Sequence, residues 1–329
     1  MTEVHPPGTT PRTGFPDRET LLTAIRMACC APSVHNSQPW RWQVGHRAVH
    51  LWADPSRALP ATDPDGRELV ISCGAALHHL VVALAAFGWA ARVHLLPDPS
   101  LPEHLAAVEV STMVPEQVDL VLAAASTQRR SDRRAYAPSS VDDDQLSRLV
   151  AVAAGGVTTR VVRSPELLAL IAKADAIQSA DGAYRSELAL WSGRVGSPDG
   201  VPAANSTTET RYGDLVTRRF SVSRLVQPTG ADSAGTLLVL GTAIDDRTSW
   251  LRTGMATSAI TLTATVLRLA TCPLSQPVEV RETRELLRRR VLGGRVVPQL
   301  VLRLGRPVVG AEPVPRTPRR SLMDVVEFS

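Results

Sequence analysis

The stretch from Leu69 to Ala91 contains no Asp, Glu, Lys or Arg. It is long enough to cross a bilayer, so it must lie either in lipid or inside protein. Ser72, Gly74, His78, His79 and Gly88 interrupt it, and no other segment of the chain resembles a span. Polar side chains of this kind are costly in hydrocarbon. The stretch therefore reads as a core or interface helix that needs apolar partners on every side.

A partner of the same kind is present. Gly74-Ala75-Ala76-Leu77 is expected to open a helix running to Phe87, and Gly254-Met255-Ala256-Thr257 another running to about Ala270. Each follows a short polar segment and a strand-like run, which in the second case is Thr236 to Thr242. Glu19 to Ala31 reads as a helix stopped by Pro32, followed by the strand-like Trp40-Arg41-Trp42-Gln43-Val44. Asp142 to Ala154 reads as a helix with an acidic first turn, ending at Gly155-Gly156 and followed by the strand-like Thr159 to Val162. The order helix, turn, strand, long apolar helix thus occurs twice, with a boundary near residue 125. Such a repeat suggests a fused pseudo-dimer whose seam is the pair of uncharged helices. Coincidence among common helix and strand elements is the competing reading.

Composition sets outer limits. With 329 residues, 44% of them hydrophobic, the chain can bury a thick core as one large domain or two ordinary ones. Aromatics are only 4%, so Leu, Val, Ile and Ala must build it. The net charge is +4, and Lys173 is the only lysine. The arginines are scattered rather than gathered in one stripe interleaved with aromatics, which argues against a nucleic-acid partner. Two dense points are 129–134 and 316–320. Cys29, Cys30, Cys73 and Cys272 have no metal-site spacing, and so few cysteines suit reduced thiols in a cytoplasm. Met1 to Pro16 is polar and Pro-rich, with no apolar core of a signal peptide, and reads as a flexible tail. His46 and His50 are four apart in a strand-turn context and read as non-ligands, so no metal is expected.

Three segments carry chemistry. Ala31-Pro32-Ser33-Val34-His35-Asn36-Ser37-Gln38-Pro39-Trp40 resembles the FMN-binding motif of the nitroreductase family. Arg129-Arg130-Ser131-Asp132-Arg133 resembles that family's phosphate-side motif. Pro318-Arg319-Arg320-Ser321-Leu322 resembles its C-terminal basic motif, and Pro298 to Pro307 the strand before it. The whole chain, over about residues 17 to 329, is similar to the Acg family of mycobacterial nitroreductase-like flavin proteins. The first motif is specific; the two Arg motifs alone are weak.

The resemblance implies an α+β fold of two nitroreductase-like halves, 17–124 and 125–329, packed as an intramolecular pseudo-dimer. It implies one FMN per chain, with NAD(P)H as a possible reductant. In ordinary nitroreductases the site lies between two subunits. Here the first half has the Pro-Ser-x-x-Asn segment, but Pro11 to Arg18 does not fit an Arg-x-Ser-x-Arg motif. The second half has both basic motifs, but Gly155-Gly156-Val157-Thr158 stands where Pro-Ser-x-x-Asn would be. One composite site survives, and a monomer that mimics a dimer is expected.

Physical chemistry suits these residues to FMN. A phosphate needs forked cationic donors, which Arg129, Arg133, Arg319 and Arg320 offer, with Ser131 adding a hydroxyl. The pyrimidine edge alternates donors and acceptors, which an amide such as Asn36 can match, with Ser33 or a main-chain group covering the rest; Gln38 is counted with the cofactor-binding residues of the same segment. Pro32 presents them on a stiff chain. Trp40 reads as a packing anchor; His35 can reach the site or be structural. The resemblance places Leu274 and Ser275 near the reactive N5 of the flavin. No catalytic side chain is expected, because the cofactor carries the hydride chemistry.

Residues 178–234 form a long extra stretch, rich in Ser, Thr, Gly and Arg. Stretches of this kind are commonly lids, binding loops or linkers; its apolar anchors (Leu188, Leu190, Trp191, Phe220, Leu225) argue against full disorder, and the resemblance to the Acg family implies a lid over the flavin. Two function classes stay open. One is an NAD(P)H-dependent oxidoreductase acting on nitroaromatics or quinones. The other is a flavin-storing or redox-sensing protein with a closed site and little turnover. The resemblance adds a link to dormancy or redox stress as context.

Overall fold

A computed structural model of the chain describes residues 14 to 329, apart from residue 154. Most of the expected tail therefore lies outside the described residues. Its end is anchored: Phe15 packs on the first core and Pro16 is buried.

The first half runs α1 (Arg18–Ala28), β1 (Trp40–Val44), β2 (Ala48–Ala53), α2 (Arg67–Ala86), β3 (Trp89–Leu95), β4 (His104–Thr112) and α3 (Gln117–Gln128). The second runs α4 (Asp143–Ala151), β5 (Thr158–Val162), α5 (Pro165–Ala180), α6 (Gly182–Leu190), β6 (Arg211–Tyr212), β7 (Leu215–Val216) and β8 (Thr236–Thr242). It continues through α7 (Arg247–Val266), β9 (Ala270–Leu274), α8 (Gln276–Glu279), α9 (Arg281–Leu286), β10 (Val297–Gly305) and β11 (Val326–Phe328).

The repeat is visible in the topology. The first sheet has the order β11-β1-β2-β4-β3 and the second β5-β8-β10-β9. Setting β11 aside, the two orders correspond strand for strand, and all those pairings are antiparallel. In each half the long helix, α2 or α7, lies in the chain between the second and third strands. The α+β class expected from the sequence is what the chain adopts.

Both long helices start earlier than expected. Asp246 caps α7 by accepting from Ser249 N. Gly74 and Gly254 each lie seven positions into their helix (67 to 74, 247 to 254) and open neither. A Cβ on Gly74 would stand 2.2 Å from Leu251 O, and one on Gly254 1.9 Å from Ile71 O. The glycines mark where the two helix backbones touch, as small residues do at close helix crossings. Arg67–Ala86 is, among the described residues, the one helix long and apolar enough to cross a membrane, and most of it is buried inside the protein.

Other boundaries moved for physical reasons. Helix α1 buries Leu21, Ala24, Ile25 and Ala28 on one face and ends at Ala28 rather than Ala31. The carbonyls of Cys29, Cys30 and Ala31 accept from the Arg319 guanidinium instead of continuing the helix. Helix α4 stops at Ala151, with Val152 as its cap, short of Ala154. The boundary at 124/125 falls inside α3, which packs on both α2 and α7. The last residues leave the second half altogether, since β11 pairs in parallel with β1, Trp42 opposite Val326. The stretch 178–234 is not one loop: it begins within α5 and contains α6 and the β6–β7 hairpin.

Candidate functional site

After α1 the chain turns sharply. His35, Asn36 and Gln38 all take positive φ (49°, 54° and 52°), a conformation that costs L-residues free energy unless the surroundings enforce it. Gln38 N donates to Ser33 Oγ (3.0 Å), and Val34 N to Ser72 Oγ on α2 (3.3 Å). Trp40 is fully buried beneath, the anchor expected of it. The result presents Pro32 to His35 to the junction of the two halves.

The second half brings its segment to the same junction. Asp132 N donates to Thr271 O (2.9 Å), and Ser131 bridges in parallel to Thr271, so residues 129–133 run along the free edge of β9. The buried Asp132–Arg134 ion pair (2.7 Å) and the bond from Arg303 to Arg134 O fix this run. The end of β9 and the residues that follow it, Leu274-Ser275-Gln276, line the same space.

Two cavities meet there, and Pro32, Ser33, Ser131 and Arg133 line both. The first is largely apolar. Its floor is Glu68, Ile71, Ser72 and Ala75 of α2 with Thr257 of α7. Its wall is Cys272 to Gln276, and its roof is Thr207, Thr217, Arg218 and Phe220. The cavity has a volume of about 100 Å³ and is partly open to solvent. The second is basic, lined by Arg26, Arg129, Arg130, Arg133, Arg316 and Arg319, with no carboxylate side chain among its lining residues.

The basic cavity holds an uncompensated charge. Arg129 is buried; its Nη2 reaches Cys30 O (3.2 Å), and its Nε and Nη1 have no partner. Burial, and then the neighbouring Arg319, depress its pKa to about 9. Burial also lowers that of Arg133, whose Nη1 donates to Asn205 O (2.8 Å) and whose guanidinium lies 4.9 Å from the Phe220 ring centre. Charge buried without a counter-ion is costly. An anion accepting from Arg129 would remove that cost.

The apolar cavity has a charged network in its lining. Arg218 donates to both carboxylate oxygens of Glu279 (2.6 and 2.8 Å). Burial opposes the charge of Arg218, but Glu279 outweighs it and raises its pKa. His35 Nε2 lies 2.9 Å from Arg218 Nη1 and 3.2 Å from Thr62 Oγ1. Burial, and then Arg218, hold His35 neutral well below its ordinary pKa. His50, by contrast, sits away from both cavities, paired with His104 (3.0 Å), and no metal-binding cluster occurs among the described residues.

The roof is tied to the first half. Glu187 accepts from the amides of Ala61 and Thr62 (both 2.9 Å). Asp199 pairs with Arg57. Gly200 O accepts from Asn36 Nδ2 (3.0 Å) and Pro198 O from Gln38 Nε2 (2.8 Å).

Most residues expected at the site converge there, with three changes of role. Asn36 lines the basic cavity rather than the pyrimidine end, and its amide is committed to Gly200 O, Pro318 O and Arg319. Gln38 lines neither cavity; it is fully buried and holds Pro198 O and Arg320 N. Arg320 is turned away, to Gln38 O, Asp54 and Asp324 O. Arg319 lines the basic cavity but spends its donors on main-chain carbonyls and Asn36. Leu274 and Ser275 line the apolar cavity as expected. Glu68, Arg218 and Arg316 were not foreseen. Glu68 had a signal, as an acid just before an uncharged run; Arg218, in the extra stretch, had none.

Residues 127–306 match the family model described as "Nitroreductase family". A protein of Mycobacterium tuberculosis named "Putative NAD(P)H nitroreductase" is 45% identical over 321 residues, covering 96% of this chain and 93% of its own. Another from that organism, "Putative NAD(P)H nitroreductase acg", is 36% identical over 93% of this chain and 95% of its own. Among solved structures, a nitroreductase with bound FMN from Desulfitobacterium hafniense is 14% identical, with a TM-score of 0.40, over 64% of this chain and 98% of its own.

Proposed function

The chain belongs to the nitroreductase family, and from that premise we propose that it binds one FMN and serves as an NAD(P)H-dependent oxidoreductase for nitroaromatics or quinones. The observation that carries this reading is the junction of an apolar cavity with a basic one that holds the unpaired donors of Arg129. That pairing suits a ligand with a flat ring at one end and a phosphate at the other.

In this reading Arg129, Arg130 and Arg133, with Ser131, hold the phosphate, and Arg319 shapes the cavity through the carbonyls it gathers. Pro32 and Ser33 border the passage between phosphate and ring. Leu274 and Ser275 flank the ring against the floor of α2. When bound, FMN supplies reversible two-electron hydride chemistry. The chain supplies position, a dry apolar surround and fixed charge. The first half contributes the 32–36 turn and the second the 129–133 and 272–276 segments, so the site is complete within one chain. This reading makes the protein a monomeric pseudo-dimer, placed in the cytoplasm, with the stretch at about 178–234 as its lid.

One observation favours a second reading. The roof is held by Glu187, Asp199, Pro198 and Gly200 at separate points. A roof so fastened suits a protein that sequesters FMN or senses redox state. Stopped-flow absorbance separates the two. Bleaching of the flavin band on adding NADPH or NADH supports the enzyme. A band that persists for minutes and yields only to dithionite refutes it and leaves sequestration.

A further inference from the structure

Helix α2 offers Glu68, Ile71, Ser72 and Ala75 to the apolar cavity, the i, i+3, i+4, i+7 stripe of one helix face. Glu68 is 4% exposed, and its Oε1 has no hydrogen-bond partner. Every charged group around it is committed elsewhere. Arg218, from the roof, is held by Glu279 of α8. Arg67, on α2 itself, donates to Val278 O (3.2 Å) and to Gln299. Asp63, in the turn before α2, accepts from Leu69 N (2.8 Å). His35 is neutral and bonded to Arg218 and Thr62. Burial first, then Asp63 and Glu279, raise the Glu68 pKa well above the ordinary carboxylate range, against the opposing pull of Arg67 and Arg218. Burial of this kind favours the protonated carboxyl.

We infer that Glu68 is the proton donor to an acceptor reduced in this cavity. The inference rests on the oxidoreductase reading above. For a quinone the balance is simple. A hydride, drawn from a dihydronicotinamide through the flavin, delivers two electrons and one proton. The Glu68 O–H bond breaks, and its proton forms a quinol O–H. The Glu68 carboxylate then regains a proton from water after the quinol leaves. Ser72 supports the arrangement: its Oγ donates to Glu68 O (2.6 Å) and accepts from Val34 N, fastening the 32–35 turn to the same helix face.

The test uses the full FMN-loaded chain, its Glu68→Gln variant, and Glu68→Asp as the variant that keeps the acid. Infrared spectra at neutral pH should show a protonated carboxylic C=O band in the parent protein that Glu68→Gln lacks. In stopped flow, reoxidation of dithionite-reduced flavin by 1,4-benzoquinone should slow by at least about tenfold in Glu68→Gln, toward the ~10²–10⁴-fold typical of a positioned acid. Glu68→Asp, which keeps the acid, should recover part of that rate. A band that persists in Glu68→Gln, or an unchanged reoxidation rate, overturns the proton-donor role alone. A parent protein whose reduced flavin ignores the quinone overturns that role together with the oxidoreductase reading.

Discussion

Gly74 and Gly254 face each other across the contact of α2 and α7: a Cβ on Gly254 would stand 2.8 Å from Gly74 Cα. Each glycine also admits the other helix's carbonyls, Leu251 O and Ile71 O. Backbone of this kind cannot swing aside as a side-chain tip would. The contact sets how near the halves approach, and with it the distance between the 32–36 turn and the 129–133 segment.

Gly74→Ala or Gly254→Ala should therefore destabilise the protein, although alanine favours a helix by about 1 kcal/mol. Overpacking at such a contact typically costs ~1–3 kcal/mol and here meets rigid backbone. A net loss of up to about 2 kcal/mol in urea unfolding is expected. A gain in stability would mean that the helices are free to part.

Arg129→Met should have opposite effects with and without FMN. It removes a buried unpaired charge, so the flavin-free protein should unfold at a higher urea concentration. It also removes charge-assisted bonds worth ~1.5–3 kcal/mol each, so FMN binding, followed by quenching of flavin fluorescence, should weaken on the order of tenfold or more. A destabilised flavin-free protein with unchanged FMN affinity would refute the phosphate assignment.

Arg320→Ala should leave the flavin content intact, because its guanidinium reaches Gln38 O, Asp54 and Asp324 O and lines neither cavity. What it should lose is the seating of the C-terminal residues that lead into β11. Limited proteolysis should remove them faster than in the parent protein. A colourless protein would return Arg320 to the site.

The contrast between Arg129 and Arg320 marks what was legible in the sequence. Strands Trp40–Val44 and Thr236–Thr242 could be bounded closely, because alternating or continuous apolar runs between turn residues leave little freedom. The two long apolar stretches signalled the contact of α2 with α7, since neither could face water. The sequence did not distinguish a guanidinium that meets a ligand from one that gathers carbonyls, as Arg319 and Arg320 do. Both look alike until the chain returns from β10 to β1. The glycines misled for a related reason: Gly is common at helix ends, and only the tertiary contact shows that these two sit mid-helix. Arg218 was hidden because its partner, Glu279, is distant in the chain and its stretch has no periodicity.

Asp63 should make stability depend on pH. Burial raises its pKa from 3.8 to about 6, against the amides of Leu69 and Glu68 that lower it. A carboxyl whose pKa is raised on folding contributes stability present below its unfolded pKa and lost as pH rises through the folded one. The loss should fall between about pH 4 and 6 and amount to at most about 3 kcal/mol. Asp63→Asn should therefore gain stability relative to the parent at pH 7 but not at pH 4, by urea unfolding at both. An equal effect at both pH values would exclude this group.

The central claim is a single composite site built from both halves. Its most direct test is the flavin content of the purified chain after saturation with FMN, removal of free ligand and release by denaturation. One FMN per chain is predicted, because Pro-Ser-x-x-Asn occurs in the first half at 32–36 and nowhere in the second. Two FMN per chain would contradict the loss of the second site, and none would contradict the site itself.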